Sequence, residues 1–284
     1  MVVSSAELSD GRPIGMFDSG LGGLTVARAV MDMLPNERLV YFADTGRFPY
    51  GPRPAEEVRR FAVEIARYLA GHDVKMLVVA CNTATSAALD DVRDAVEVPV
   101  IGVIDPAVRA AVRATRNDRV GLIGTVGTVA SGSYERALDR LDQTGRIQMV
   151  SQACPQFVEF VERGDTTSPD LLSTAERYLA LLKVSGIDTL ILGCTHYPLL
   201  RGALHHVMGP PVLLVSSADE TASDMYEILT SRGLLRRSPA PPEHRFESSG
   251  DPDRFATLLT RFLGEGMQAA HRVVLEPTKG PAWS

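Results

Sequence analysis

Short runs of branched apolar residues alternate along the chain with longer stretches in which apolar residues recur at helical spacing. Nearly continuous apolar strands separated by helices are typical of parallel sheets that helices cover on both faces. The pattern therefore predicts an α/β protein with mainly parallel sheets. The predicted strands are residues 13–18, 38–43, 75–80, 99–103, 119–124, 146–150, 188–193 and 211–215.

Two of the intervening stretches predict amphipathic helices most clearly. In the first, Pro54 is expected at the first helical position, followed by acidic residues at 56–57, where the helix dipole favours negative charge. The second is expected to begin at Ser168 and Pro169 and to end at Gly186. Their apolar faces are Val58, Phe61, Ala62, Ile65, Tyr68 and Leu69, and Leu171, Leu172, Ala175, Tyr178, Leu179 and Leu182.

The pattern weakens in the carboxyl-terminal part of the chain. The Pro- and Ser-rich segment 234–250 is expected to hold one short strand at 244–248, and residues 251–264 a closing helix. The last ~18 residues have weak periodicity and are expected to form a partly mobile tail.

The two halves of the chain contain a similar order of motifs. The segment GMFDSGLGGLTVARAV resembles GLIGTVGTVASGSYERAL, and in each half a later strand ends in Cys. Cys81 lies 18 residues before Pro99, and Cys194 lies 17 residues before Pro211, each Pro opening a strand. Any two α/β halves share part of such an order, so a chance likeness stays open. A true repeat predicts two similar α/β domains, pseudo-twofold related, each with one Cys beyond a strand end, where open sheets bind ligands.

Composition and charge narrow the class of protein. The 284 residues are 45% hydrophobic and 23% charged, and 29 basic against 35 acidic side chains give a net charge of −6. At roughly 150 residues per domain, this length predicts two domains. The acidic balance argues against a broad nucleic-acid-binding surface. No apolar run approaches the ~20 residues that span a bilayer, and the first residues lack the features of a secretion signal. We therefore expect a cytoplasmic protein without direct contact to nucleic acid or membrane.

Cys81 and Cys194 are the first candidates for chemistry. Each ends an aliphatic strand and precedes hydroxyl or amide side chains, in VVACNTATSAAL and LILGCTHYPLL. The amide N–H groups of a following helix favour the thiolate, so we expect the thiol pKa to fall from about 8.5 toward neutral pH. Cys is also among the most buried residue types and often only fills a strand end. Cys154 has no counterpart in the other half and is interpreted as a packed thiol.

Two loops beside the predicted strand ends hold further candidates. Asp18 and Ser19 precede three glycines in FDSGLGGL. Such glycines allow the backbone to approach a small anionic ligand closely. In the alternative interpretation, Asp18 only caps a helix. The segment lacks the GK[ST] ending of a phosphate loop and the GxGxxG spacing of a dinucleotide site. Tyr50 and Gly51 lie in DTGRFPYGPRP, a rigid loop that presents a backbone N–H and a phenol to a substrate carboxylate, or a plain turn.

His196 and Glu162 complete the set of titratable candidates. His196 follows Cys194 by two residues and either exchanges a proton with the thiol or caps the next helix. Glu162, in a short amphipathic stretch, is also consistent with a plain surface carboxylate. A structural zinc site needs four closely spaced ligands, and only Cys194 and His196 are close. A Cys–His hydrolase needs one nucleophile and one base, which leaves Cys81 without a role.

With these motifs, the sequence resembles the glutamate racemases of the aspartate/glutamate racemase superfamily. The likeness spans residues 13–262, and FDSGLGGL, FPYG and the two Cys motifs together make it specific. Several relatives have another residue at Gly46, which touches none of the chemistry. The matching segments are GMFDSGLGGLTV, DTGRFPYGPR, VACNTATSAAL, PVIGVIDPAVRAA, GLIGTVGTVAS, CPQFVEFVE and LGCTHYPLL.

The resemblance implies a cofactor-independent interconversion of L- and D-glutamate by two bases, without a metal. Cys81 would deprotonate D-glutamate and Cys194 L-glutamate from opposite faces of Cα, and Asp18, His196 and Glu162 would assist. The implied substrate contacts are Asp18, Ser19, Tyr50, Gly51, Asn82, Thr83, Thr195 and His196, with Thr125 and Thr128 as further candidates.

The resemblance also implies the domain organisation and the partners. One domain would comprise residues 1–103 and 217–284 on the Cys81 side, the other residues 104–216 on the Cys194 side, with the active site in the interdomain cleft. The enzyme would be a homodimer that supplies D-glutamate for bacterial peptidoglycan. Some family members are reported to affect DNA gyrase, but nothing in this acidic composition indicates such a surface.

Three alternative functions remain at this point. Aspartate racemase would keep both thiols and differ in pocket length. A single-Cys decarboxylase or maleate-type isomerase would not need the paired CNT and CTH motifs. A binding or regulatory protein would retain its phenotype when the Cys residues are replaced.

Overall fold

The computed structural model describes residues 9–264 and 271–275, in which helices and strands alternate. The first part of the chain contains β1 (Ile14–Asp18), α1 (Leu24–Met33), β2 (Leu39–Ala43), α2 (Ala55–Ala70), β3 (Met76–Val79), α3 (Asn82–Ala95) and β4 (Val100–Gly102). The middle part contains α4 (Ile104–Ala114), β5 (Arg119–Gly124), α5 (Val126–Ala130), α6 (Ser133–Leu141), β6 (Gln148–Ala153), α7 (Gln156–Glu162), α8 (Pro169–Val184), β7 (Thr189–Gly193), a 3₁₀ turn (Tyr197–Leu200), α9 (Arg201–Met208) and β8 (Leu213–Ser216). The last part contains α10 (Ser217–Ser231), β9 (Arg245–Ser248), α11 (Pro252–Leu263) and β10 (His271–Arg272).

The strands form two parallel sheets of the same internal order. One sheet has the order β10-β9-β2-β1-β3-β4, and the other has the order β6-β5-β7-β8. All the paired strands are parallel. In each half, the first four strands in chain order therefore lie side by side in the spatial order second, first, third and fourth. This repeated order confirms the prediction of two α/β units with parallel sheets, while the pseudo-twofold relation between them stays a prediction.

The connections between the two sheets bear on the predicted domain boundaries. Buried residues of α4 pack with strands β5 and β7 of the four-stranded sheet. Buried residues of α10 pack with β1, β2 and β3 of the six-stranded sheet. The boundaries after residues 103 and 216 stay a prediction, which this division of the cores supports. The predicted carboxyl-terminal tail lies outside the described residues apart from 271–275, which include β10.

Two element boundaries differ from the predictions. Pro54 is the N-cap of α2 rather than its first helical residue, because its backbone is extended at ψ 139°. The strand predicted at 146–150 is β6, which runs from Gln148 to Ala153. β6 is a half-exposed edge strand that pairs along the whole of β5. It therefore continues through polar residues, which a search for apolar runs does not detect.

The two clearest amphipathic helices are otherwise as predicted. The Oγ of Ser168 accepts a hydrogen bond from the N–H of Leu171 at 3.1 Å, so Ser168 caps α8. Gly186 follows the end of α8 with φ +65°, a conformation that glycine adopts without a steric penalty. None of the helices in the described ranges is long and apolar enough to cross a membrane.

Candidate active site

Cys81 lies where β3 of the six-stranded sheet turns into α3. It is the N-cap of that helix, and its Sγ accepts a hydrogen bond from the N–H of Ala84 at 3.4 Å. Its thiol lies 3.5 Å from Oγ of Ser19, which accepts the hydrogen bond. Only 4% of the residue is exposed. The third strand of the first half thus carries its thiol to the carboxyl edge of the sheet, as predicted.

The pKa of Cys81 is raised, contrary to the prediction from its position at a helix N-terminus. Burial and the negative charge of Asp18 raise it to about 12, and the hydrogen bonds that Ala84 and Ser19 can donate to the thiolate do not compensate. The free energy needed to remove a thiolate from water is larger than the stabilisation that one amide N–H and one hydroxyl provide. Cys81 therefore carries a proton at neutral pH.

Cys194 follows β7, the third strand of the other half, and is linked to a buried His–Glu pair. Its Sγ lies 3.9 Å from Nδ1 of His196, and Nε2 of His196 lies 2.9 Å from Oε1 of Glu162. His196 therefore bridges the thiol and the carboxylate. His196 makes no side-chain cap to the following 3₁₀ turn, so the capping alternative is wrong. Glu162, the last residue of α7, is not a plain surface carboxylate, because it contacts the imidazole.

The His196 side chain is a cation at neutral pH. Burial alone would lower its pKa, but the hydrogen bonds with Cys194 and Glu162 outweigh burial and raise the pKa to about 10. A positive charge consequently adjoins the sulfur of Cys194, whereas the nearest charged group acting on Cys81 is the carboxylate of Asp18. The two thiols therefore have opposite electrostatic surroundings.

Asp18 has both contacts to the glycine loop and an unsatisfied oxygen. Its Oδ2 accepts hydrogen bonds from the N–H groups of Gly20 and Gly23, at 3.2 and 2.9 Å, so it fixes the glycine loop that leads into α1, whereas α1 itself begins after its N-cap Gly23 without a side-chain cap. Its Oδ1 is buried and has no hydrogen-bond partner among the described residues. Ser19 rather than Asp18 reaches the wall of the cavity described below.

The loop with Tyr50 and Gly51 is held rigidly at the cavity. The phenol of Tyr50 is buried and donates its hydrogen bond to Asp44. The proton of this hydroxyl is thus directed at the buried Asp44, and a contact of Tyr50 with a substrate carboxylate stays a prediction. The Asp44 carboxylate also accepts a hydrogen bond from Nε of Arg47 at 2.7 Å. The carbonyl of Gly51 accepts a hydrogen bond from the N–H of Gly127 at 3.0 Å, which joins the two halves.

Hydroxyl and amide side chains from both halves contact each other between strand β3, which precedes Cys81, and strand β7, which precedes Cys194. Oγ1 of Thr83 lies 3.0 Å from that of Thr125 and 3.3 Å from that of Thr128. Nδ2 of Asn82 donates to Oη of Tyr134 at 2.7 Å. On the other side, Oγ1 of Thr25 lies 3.4 Å from the carbonyl oxygen of Thr195. These contacts bring the two sheets' carboxyl edges together.

One cavity of about 610 Å³ lies between the two halves and has both thiols in its wall. Of the predicted site residues, Asp18 and Thr128 are not in the wall. Sequence reasoning did not single out Phe48, whose ring lies 5.9 Å from that of His196, although FPYG contains it. It also did not single out Tyr134. The wall consists of Ser19, Phe48, Pro49, Tyr50, Gly51, Pro52, Cys81, Asn82, Thr83, Thr125, Val126, Pro155, Val158, Glu159, Glu162, Arg163, Cys194, Thr195 and His196.

The arrangement places proton-transfer groups rather than metal ligands around the cavity. Within residues 9–264 and 271–275, no three His, Cys, Asp or Glu side chains are grouped so that they could hold a metal ion. Cys154 is fully buried in the core of the four-stranded sheet, where burial raises its pKa, and it behaves as the predicted packed thiol.

Comparison with known proteins finds racemases that are similar to this chain in sequence and in structure. The family model for Asp/Glu/Hydantoin racemases matches residues 24–224. A glutamate racemase from Acidothermus cellulolyticus is 54% identical over 253 residues, which cover 89% of this chain and 95% of that protein.

Solved structures of similar proteins agree with this match. A glutamate racemase isoform from Bacillus anthracis superposes with a TM-score of 0.89 at 42% identity, covering 94% of this chain and 99% of that one. Glutamate racemase from Francisella tularensis, solved in complex with D-glutamate, superposes with a TM-score of 0.87 at 33% identity, covering 95% and 100%. The chain therefore belongs to the Asp/Glu/Hydantoin racemase family and, within it, to the glutamate racemases.

Proposed function

We propose that this racemase interconverts L- and D-glutamate without a cofactor, with Cys81 and Cys194 as bases on opposite faces of Cα. Inversion requires one proton to leave Cα and another to arrive at the opposite face, so an acid and a base must approach the carbon from two sides. The observation that carries the proposal is that thiols from equivalent strands of the two halves line a single cavity. D-Glutamate bound to the relative from Francisella tularensis supports the choice of substrate.

The different surroundings of the two thiols support an assignment of the resting protonation state. Cys81 holds its proton because its pKa is about 12. We assign the base role in the L-to-D direction to Cys194, whose sulfur adjoins the His196 imidazolium. L-Glutamate then loses its α-proton to Sγ of Cys194, and the Cys81 thiol delivers its own proton to the opposite face, which yields D-glutamate. The reverse reaction begins from the enzyme with these two protonation states exchanged.

The cavity wall offers groups that can stabilise the transition state. The α-proton is a far weaker acid than a thiol, so the site must stabilise the negative charge that develops on the substrate more strongly than it stabilises the substrate itself. Preorganised donors in a water-poor site achieve this. The hydroxyl groups of Thr83 and Thr125 and the amides at the start of α3 are available in the wall.

The biological setting follows from the product. We infer that D-glutamate made by this enzyme supplies bacterial peptidoglycan, and that the enzyme acts in the cytoplasm as a homodimer. Light scattering of the purified protein tests the dimer, and a monomer across the working concentration range would contradict it. Growth of a strain that lacks this enzyme should depend on added D-glutamate.

The two-base mechanism is tested by racemisation in deuterium oxide. Early in the reaction, the product should carry deuterium at Cα while unreacted substrate keeps hydrogen. Cys81→Ser and Cys194→Ser should each lower the rate by about 10³-fold or more, since each removes a proton-transfer group. Cys154→Ser is the matched control, and it should racemise at the parent rate. A single-Cys variant that racemises near the parent rate contradicts the mechanism, and faster turnover of L-aspartate than of L-glutamate contradicts the substrate.

A further inference from the structure

Tyr134 is a buried residue beside the cavity that the proposed mechanism does not use. It is the second residue of α6 in the Cys194 half, and its side chain has no exposed surface. Its Oη accepts the hydrogen bond from Nδ2 of Asn82, which adjoins Cys81 in the other half. A Cβ placed on Gly193, the residue before Cys194, would lie 3.3 Å from the same oxygen. Tyr134 therefore bonds the residue that follows Cys81 and lies close to the residue that precedes Cys194.

Asn82 has an acceptor that the protein leaves unused. The residue lines the cavity and is 2% exposed. Its Oδ1 is buried and has no hydrogen-bond partner within the described part of the chain. Because an unpaired buried carbonyl oxygen is costly, such an atom at a cavity indicates a ligand that donates to it. One N–H of Nδ2 is already engaged by Tyr134, whereas Oδ1 has no partner within the described part of the chain and is therefore the atom of this amide that requires a donor from the ligand.

We propose that Tyr134 is a positioning residue, which orients the Asn82 amide so that Oδ1 accepts a hydrogen bond from the α-ammonium group of the substrate. The inference rests on the proposed turnover of glutamate. Glutamate carries donors only on its ammonium group, whereas both carboxylates only accept. An amide turned by 180° would direct its NH₂ group at the ammonium and repel it. Burial raises the pKa of Tyr134, so the hydroxyl stays neutral, and its oxygen accepts the hydrogen bond from Asn82.

The test compares glutamate with glutarate, which has both carboxylates and lacks the ammonium group. In Tyr134→Phe, the Kd of D-glutamate measured by calorimetry and the KM for glutamate should rise roughly tenfold, while the Kd of glutarate changes less than about twofold. The kcat should change little, because the ammonium contact exists in both the ground state and the transition state. Tyr178→Phe is the matched control, since that hydroxyl bonds Gln156 away from the cavity.

A double-mutant cycle tests whether Tyr134 acts through Asn82. Asn82→Ala should weaken the binding of glutamate more than the binding of glutarate. Adding Tyr134→Phe to this variant should cause no further loss of glutamate affinity. The proposal is overturned if either single variant binds glutamate and glutarate more weakly by the same factor. It is also overturned if the double variant shows the full additional loss of glutamate affinity. The proposed function fails separately if the parent enzyme does not racemise glutamate, because calorimetry detects binding of the two ligands and not the formation of product. Melting temperatures of all variants identify any general loss of folding.

Discussion

Replacing Glu162 by Gln should shift the pH dependence of racemisation, because Glu162 holds the proton of His196. Oε1 of Glu162 lies 2.9 Å from Nε2 of His196, and the imidazole in turn contacts Cys194. Gln keeps the size and an acceptor oxygen but removes the negative charge. The imidazolium then loses the carboxylate that, together with Cys194, stabilises it, so the positive charge beside the sulfur of Cys194 is lost at a lower pH than in the parent.

The size of the shift follows from the separation of the charges. Unit charges about 4 Å apart at an effective dielectric constant of about 20 interact by about 4 kcal/mol, which is about 3 pKa units. Since the Glu162 side chain is 15% exposed, solvent screening reduces this to about 2 units. The pKa of His196 should therefore fall from about 10 in the parent to about 8 in Glu162→Gln.

The assay is the profile of kcat/KM against pH, from about pH 6 to about pH 10.5, with L- and D-glutamate as separate substrates. The alkaline limb reports loss of the imidazolium and should move down by the same ~2 units. L- and D-glutamate have equal free energies in water, so the equilibrium constant is one. Any variant must therefore lower kcat/KM by the same factor in both directions, which gives an internal check on the data.

Stability should change with pH in the same variant. A His pKa raised in the folded state stabilises the fold fully below the unfolded value near 6.5, and this stabilisation is lost as the pH rises through about 10. The free energy of unfolding of Glu162→Gln should thus be lower than that of the parent by about 3 kcal/mol near pH 7. The two proteins should converge above pH 10.

Glu159→Gln is the matched control for both measurements. Glu159 lies one turn earlier on α7 and is exposed, so the same charge is removed from the same helix. Its alkaline limb should move by about 0.5 unit or less. The assigned role of Glu162 is wrong if its Gln variant keeps the alkaline limb of the parent, or if Glu159→Gln shifts it equally.

Two further predictions concern packing and a buried ion pair. Gly22→Ala would place a Cβ on top of Oγ1 of Thr195, so kcat/KM should fall at least about tenfold. Gly11→Ala, which meets no atom within 4 Å, should have the parent activity, and equal effects of the two would contradict this. Lys75 and Glu37 form a buried pair at 2.6 Å, so Lys75→Met leaves a buried carboxylate and should lower the free energy of unfolding in urea by about 3–5 kcal/mol. A loss below about 1 kcal/mol would indicate that the carboxylate reaches water.

Local patterns were sufficient for most of the architecture. All eight predicted strands are present, since a strand buried in a parallel sheet must be apolar along its length. The repeated motif order correctly predicted that Cys81 and Cys194 follow the third strand of each half. The edge strand β6 was misplaced by two residues at its start because one side of it reaches solvent and needs no apolar run.

The pairings around the cavity join residues far apart along the chain. His196 and Glu162 are 34 residues apart, and Asn82 and Tyr134 are 52 residues apart. No spacing rule connects such residues, because their distance depends on how the two sheets are packed.

The order of residues alone determined which side chains lie at the strand ends. Hydrophobic periodicity and turns depend on residues that are neighbours along the chain. Only the tertiary structure decided the protonation of those side chains. The helix start beside Cys81 favours a thiolate, yet burial and Asp18 raise the thiol pKa to about 12. The hydrogen bonds with Cys194 and Glu162 outweigh burial at His196 and raise the pKa of its imidazole to about 10. Charge in a protein depends on solvent exposure and on neighbours from distant segments, and both arise only when the two halves fold against each other.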